Sequence, residues 1–219
     1  MQDAQIHEVL HLLKDFSKTR DLPAVERIER ESPSDPFLLL ISCLLSLRTK
    51  DEVTEAASRR LFAVARTPQQ MLSLPPAKIR KLIYPVGFYK TKALRIHQIC
   101  QHLLGRFRGR VPESLEELLT LPGVGRKTAN LVMTLGHKKP GICVDVHVHR
   151  ISNRLGYVLS KDPHETEMQL RKKLPKKYWM EYNALLVSFG QAVCRPLSPW
   201  CSRCELKPFC KRVGVTKSR

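Results

Sequence analysis

A chain of 219 residues is long enough for one sizeable domain or two small ones, and its 42% hydrophobic content is that of a folded protein rather than a disordered one. The formal charge of +18 is out of the ordinary and points to a polyanionic partner, either nucleic acid or an anionic membrane surface. The longest apolar run, residues 37–47, falls well short of the roughly 20 residues a membrane span needs, which favours nucleic acid over a membrane.

In chain order, MQDAQIHEVLHLL lacks the early positive charges and small-residue cleavage site of a signal peptide. That predicts an intracellular protein, in the cytoplasm or nucleoid if its source is a prokaryote, where thiols stay reduced. Ile6, Val9, Leu10, Leu13 and Phe16 share one helical face. SPSDPFLLLISCLL offers Ser34 or Asp35 as an N-cap, with Pro36 in the first turn. TKDE at 49–52 reads as a capping box opening a helix through Ala65. SLEELLT, LPGVG and RKTANLVMTLG read as helix, tight turn and helix. Gly141 to Val146 is the best strand signal, though short. DPHETEMQLRKKL has Asp162 as cap, Pro163 in the first turn and Glu165 at the third position. The fold class is all-α, about ten short helices with short polar links and no internal repeat. The C-terminal segment differs from the rest, being rich in Cys, Pro and Lys/Arg.

The turn LPGVG is the first candidate site. Gly123 and Gly125 lie close together at a cost in folding entropy. Backbone N–H groups in such a turn and at the start of the next helix make a pocket for a phosphate oxygen, which a Cβ would keep away. Gly123, Val124, Gly125 and Arg126 are thus DNA-binding candidates; a plain helical corner is the alternative. Lys127 follows at once, its amine expected close to a sugar-phosphate backbone and partly desolvated. Such an amine is a solvated charge or a nucleophile that attacks a sugar C1′, displaces the base and leaves a Schiff base. The iminium acidifies the C2′ proton and permits β-elimination. That chemistry needs a carboxylate to assist deprotonation and stabilise cationic character at C1′. GICVDVHVHRISNRLG supplies Asp145, which also reads as an N-cap. Asp145, His147 and His149 in D-x-H-x-H suggest a metal site only if three groups from one short element converge.

LPGVGRKTAN and VDVHVHRISNRL together resemble the helix-hairpin-helix DNA glycosylase superfamily and, within it, the endonuclease III family. The resemblance runs from about Phe37 to Lys211, nearly the whole chain. It implies Lys127 as nucleophile and Asp145 as acid/base and electrostatic partner. It implies two helical lobes with a DNA-binding cleft between them: a six-helix lobe at 29–139 holding the hairpin, and a second at 1–28 plus 140–219. The implied activity is a bifunctional glycosylase and abasic-site lyase removing oxidised pyrimidines such as thymine glycol from duplex DNA. A glycosylase for an alkylated purine or mismatched base, and a non-catalytic DNA-binding protein, are the alternatives. The partner is duplex DNA carrying damaged bases or abasic sites, bound by a monomer with no membrane involved; His147 is counted with the DNA-binding residues.

Cys194, Cys201, Cys204 and Cys210 run C-x6-C-x2-C-x5-C, close enough to surround one compact group. Tetrahedral zinc is one reading of four thiolates. The spacing matches the iron–sulfur loop of the resembled family, which implies a [4Fe–4S] cluster. It would tie the C-terminal loop and display Arg203, Lys207, Lys211 and Arg212 to phosphates. Cys43, Cys100 and Cys143 read as packing residues.

A stacked base must be extruded and the gap filled. Arg48 in LLSLRTKDE and Phe88 in YPVGFYKTK stand in the loops that correspond to the family's intercalating loops; otherwise they read as a surface arginine and a core aromatic. Arg48 departs from the expected glutamine, and an arginine there can donate to an orphaned guanine. Asp51 is expected to hold that loop or cap its helix.

Overall fold

The computed structural model describes residues 3–20, 23–31 and 35–219. Among these every regular element is helical. The α-helices are α1 (Ile6–Ser17), α2 (Ala24–Glu31), α3 (Pro36–Ser46), α4 (Asp51–Phe62), α5 (Pro68–Ser73), α6 (Pro76–Ile83), α7 (Tyr89–Phe107), α8 (Leu115–Leu118), α9 (Arg126–Leu131), α10 (Val146–Leu155), α11 (Pro163–Lys173) and α12 (Trp179–Ala192). A π-helical stretch, Val132–Gly136, continues α9. The chain divides into two compact units: Met1–Pro23 with Pro140–Arg219, and Ala24–Lys139. None of the described helices is long and apolar enough to cross a membrane.

In the unit Ala24–Lys139, α3 is the central helix. Every residue from Phe37 to Leu45 is buried, because α2, α4, α7 and α9 all pack on it. A helix enclosed all round is apolar all round, which is the physical reason for the apolar run in the sequence. Each fully buried Leu or Ile there contributes roughly 1.5–3 kcal/mol. Asp35 starts α3 as its N-cap, accepting hydrogen bonds from the N–H groups of Phe37 and Leu38, each at 3.0 Å. Ser34, the other candidate, lies outside the described residues.

The capping box at 49–52 does not form. The N-cap of α4 is Lys50, with no side-chain cap, and the helix ends at Phe62 rather than Ala65. The Thr49 hydroxyl is occupied elsewhere: it donates to Leu47 O and accepts from the Gly87 N–H and the Lys92 ammonium. Beyond Phe62 the N–H groups of Val64 and Ala65 both return to Leu61 O, a turn that closes the helix.

In the other unit, α1, α10 and α12 pack around Ile6, Leu10, Leu13, Val148, Ile151, Tyr182 and Leu186. The periodic face of α1 is thus the buried one, with Phe16 partly buried against Phe189. Asp162 caps α11 as its sequence predicts, accepting from Glu165 N at 2.8 Å. The strand expected at Gly141 to Val146 is absent. Residues 141–145 are irregular and buried, Ile142 and Val144 belong to the unit's core, and Val146 already starts α10. Alternating apolar residues here serve burial without any strand to pair with among the described residues.

Candidate functional site

The glycine turn joins α8 to α9 within the unit Ala24–Lys139. Val124 is buried and its N–H donates to Leu121 O at 3.1 Å, which fastens the turn to the core. Gly123 has φ +78, a left-handed conformation in which a side chain is strained. Gly125 is different. Its φ is −96, open to any residue, and a Cβ built there meets nothing within 4 Å. Neither backbone conformation nor packing asks for glycine at 125, although as an N-cap glycine is favoured over alanine, and it leaves bare backbone at the turn. Gly125 is the N-cap of α9 and supplies no capping side chain; Arg126 and Lys127, both half-buried, form the first turn. Below them lies Cys43 of α3. Burial pushes its thiol up to about 12, and the nearby Lys127 charge opposes that rise.

Asp145 belongs to the other unit, buried at 9% exposure. It is the N-cap of α10, its Oδ1 accepting from His147 N at 2.8 Å and Val148 N at 3.0 Å. Both sequence readings of this carboxylate remain compatible, since the cap fixes its orientation. The D-x-H-x-H side chains diverge. His147 Nδ1 lies 3.1 Å from Arg150 Nη2 and packs so closely on Gly190 that a Cβ there would fall 2.4 Å from it. His149 Nδ1 instead meets Thr166 Oγ1 at 2.7 Å.

Further along α10, two arginines one turn apart hold the cysteine loop, a role the sequence reading missed. Arg150 Nε and Nη2 donate to Cys194 O at 3.1 and 3.0 Å. Arg154 donates to Arg195 O and Pro196 O at 2.7 Å each and to Cys194 Sγ at 3.4 Å. The signal was available: residues 150 and 154 share a helix face, and α10 starts at Asp145. One helix therefore carries the capping carboxylate at its start and the loop's anchor at its end.

Cys194, Cys201, Cys204 and Cys210 line one cavity, together with apolar neighbours such as Phe189, Trp200 and Leu206. None of the four is in a disulfide. Among the described residues, no three His, Cys, Asp or Glu side chains close on one another as the ligands of a single ion do. Burial pushes the Cys204 thiol up to about 11; a backbone hydrogen bond from Leu206 opposes this, and Cys194, Cys210 and Cys201 add to the rise. Four cysteines lining one cavity are a donor set of the kind that holds a metal group as thiolates. Cys43, Cys100 and Cys143 are buried packing residues, as expected.

Arg48 and Phe88 come together in the unit Ala24–Lys139. Both are exposed, and the Arg48 guanidinium lies over the Phe88 ring at 5.7 Å. Both hold left-handed backbone, φ 53 and φ 58, a conformation costing a non-glycine residue about 1 kcal/mol or more. Their loops touch through backbone: a Cβ on Gly87 would fall 2.4 Å from Arg48 O. Asp51 Oδ2 accepts from Ala24 N at 3.4 Å, so this carboxylate ties α4 to the start of α2. Phe88 is not the core aromatic of the alternative reading.

The region 41–176 matches the model of the HhH-GPD superfamily of base excision DNA repair proteins. Endonuclease III of Thermotoga maritima is 51% identical over 188 residues, covering 85% of this chain and 88% of that protein. Among solved structures, a non-covalent endonuclease III–DNA complex superposes with a TM-score of 0.85 at 33% identity, covering 97% of this chain and 96% of that one. A trapped endonuclease III–DNA covalent intermediate, an estranged-adenine complex, gives 0.81 at 32% identity, covering 97% of each chain. The chain belongs to the HhH-GPD superfamily of base excision DNA repair proteins, in its endonuclease III family.

Proposed function

We propose that this DNA glycosylase and abasic-site lyase removes oxidised pyrimidines from duplex DNA, with Lys127 as nucleophile and Asp145 as its carboxylate partner. The observation that carries the reading is an amine in the first helical turn, two residues after a glycine that neither backbone conformation nor packing demands. A phosphate oxygen approaching Gly125 meets bare backbone and the positive end of α9, with Arg126 beside it. Held there, the strand presents its sugar to Lys127. The amine attacks C1′ and the C1′–N bond to the base breaks, the base leaving with the bonding pair. Deprotonation at nitrogen and ring opening give the iminium; loss of a C2′ proton then expels the 3′ phosphate by β-elimination. Asp145, oriented by its two cap hydrogen bonds, stabilises cationic character at C1′ and accepts the proton the amine gives up. Val124 anchors the turn, and His147, half-buried against Arg150, stands in the first turn of α10 and is counted with the residues that contact DNA.

Cys194, Cys201, Cys204 and Cys210 are assigned to a [4Fe–4S] cluster. When bound it is a structural tie, fixing the loop that presents Arg203, Lys207, Lys211 and Arg212 at the surface. The purified protein is then brown and absorbs in the blue-violet with iron in elemental analysis; zinc without iron overturns this assignment.

Duplexes each carrying one defined lesion, scored separately for free base and nicked strand, test the substrate class. Release of thymine glycol with nicking is expected; release confined to alkylated purines or mismatched bases contradicts it.

Gly125→Ala separates DNA grip from folding. At an N-cap, alanine is worse than glycine by roughly 0.5–1 kcal/mol, while the stiffer unfolded chain returns a similar amount. The melting temperature stays nearly constant, whereas the dissociation constant for duplex DNA rises about tenfold or more as the new methyl meets the phosphate. Titration calorimetry and a melting curve on the same sample read both.

A further inference from the structure

Lys92 is the buried cation that the mechanism leaves without a role. It is 6% exposed, and burial draws its ammonium down to about 8. All three ammonium hydrogens find acceptors: Leu45 O at 2.8 Å, Leu47 O at 2.6 Å and Thr49 Oγ1 at 3.2 Å. The first lies in the last turn of α3, where carbonyls lack helical partners and a cation suits the helix dipole. The acceptors bracket Arg48 on both sides. Thr49 Oγ1 also accepts from Gly87 N at 3.2 Å, next to Phe88, and Lys92 N itself donates to Phe88 O at 3.0 Å. One residue in the first turn of α7 thus reaches both loops whose exposed tips hold strained left-handed backbone.

We propose that Lys92 is the positioning residue of a two-pronged wedge, its buried ammonium locking the Arg48 and Phe88 loops in the one arrangement that fills the gap left by an extruded nucleotide. This rests on reading Arg48 and Phe88 as the gap-filling residues. A buried ammonium bonded to the carbonyl just before a strained residue and to the hydroxyl just after it resists relaxation of that residue. Removing it leaves carbonyls without partners and frees both tips to leave the left-handed region.

Lys92→Met keeps the stem and removes the charge. Three measurements on each variant decide the matter: base release from a lesion-bearing duplex, fluorescence of 2-aminopurine placed beside the lesion, and borohydride trapping on a single-stranded abasic site, which needs no stack opened. Duplex base release is expected to fall ten- to a hundredfold through kcat and the 2-aminopurine rise to vanish, while single-stranded trapping stays within about threefold. Arg48→Ala/Phe88→Ala should show the same split, and adding Lys92→Met to that pair should cost little more. Thr49→Val, which removes only one acceptor, gives the same pattern at smaller amplitude should Lys92→Met fail to fold. Wild-type duplex kinetics in Lys92→Met or Thr49→Val, with the Arg48/Phe88 variant impaired, overturn the role of Lys92 alone. Equal loss on single-stranded and duplex substrates overturns it too, since the lysine is then a general scaffold. Wild-type kinetics in the Arg48/Phe88 variant remove the wedge reading itself.

Discussion

Lys127→Gln abolishes covalent trapping and strand cleavage, a loss on the order of 10³-fold or more, while the protein still folds and still binds duplex DNA. Glutamine retains a polar side chain of similar reach at a half-buried position, so stability should change by no more than about 1 kcal/mol. It has no nucleophilic lone pair, and no Schiff base forms. Glycine turn, Arg126 and the basic surface stay intact, so affinity changes far less than rate. Single-turnover assays on a thymine glycol duplex, with trapping in parallel, read the split. A non-catalytic DNA-binding protein would show no difference between the two chains.

Asp145→Asn slows base release by about 10²- to 10⁴-fold without destabilising the fold appreciably. The carboxylate has two tasks, and only one needs its charge. Asparagine is as good an N-cap as aspartate, so the bonds from His147 N and Val148 N persist and α10 keeps its start. What disappears is the negative charge beside C1′ and the proton acceptor. Asp145→Ala removes both tasks and costs roughly a further 0.5–2 kcal/mol of stability. Comparing melting curves and single-turnover rates of the two variants therefore separates the cap from the chemistry. An Asp145→Asn chain with wild-type base release would reduce Asp145 to a cap.

What could be read from the sequence is what local chemistry decides. Asp35 and Asp162 cap because a short acceptor before a helical run has N–H groups within reach, and that needs no knowledge of the rest of the chain. The face of α1 follows from periodicity, and the unbroken apolar run of α3 from its enclosure on all sides. The hairpin and the cysteine spacing are contiguous and so legible. Misreadings came where a distant residue competed for a local group. Thr49 looks like a cap, but Lys92, 43 residues later, takes its hydroxyl. Lys92 reads in sequence as one more solvated lysine among 38 Lys and Arg, since burial is a property of the packed unit. Arg154 reads as a surface charge until the loop at 194–196 returns to it. Gly141 to Val146 carries the best strand signal, yet among the described residues there is no strand for it to pair with.

The two lysines differ in their surroundings. Lys92 has the lowered ammonium that amine nucleophiles favour, yet its hydrogens are directed into carbonyls and a hydroxyl, away from solvent. Lys127 has the exposed glycine turn beside it. In the proposed mechanism address, more than acidity, selects the nucleophile.

Borohydride reduction of the enzyme on an abasic or thymine glycol duplex, followed by proteolysis and mass spectrometry of the sugar-bearing peptide, meets this claim head on. The account predicts the reduced sugar on Lys127 and on no other amine. A sugar found on Lys92, on another lysine or on the N-terminus, or trapping undiminished in Lys127→Gln, would contradict it.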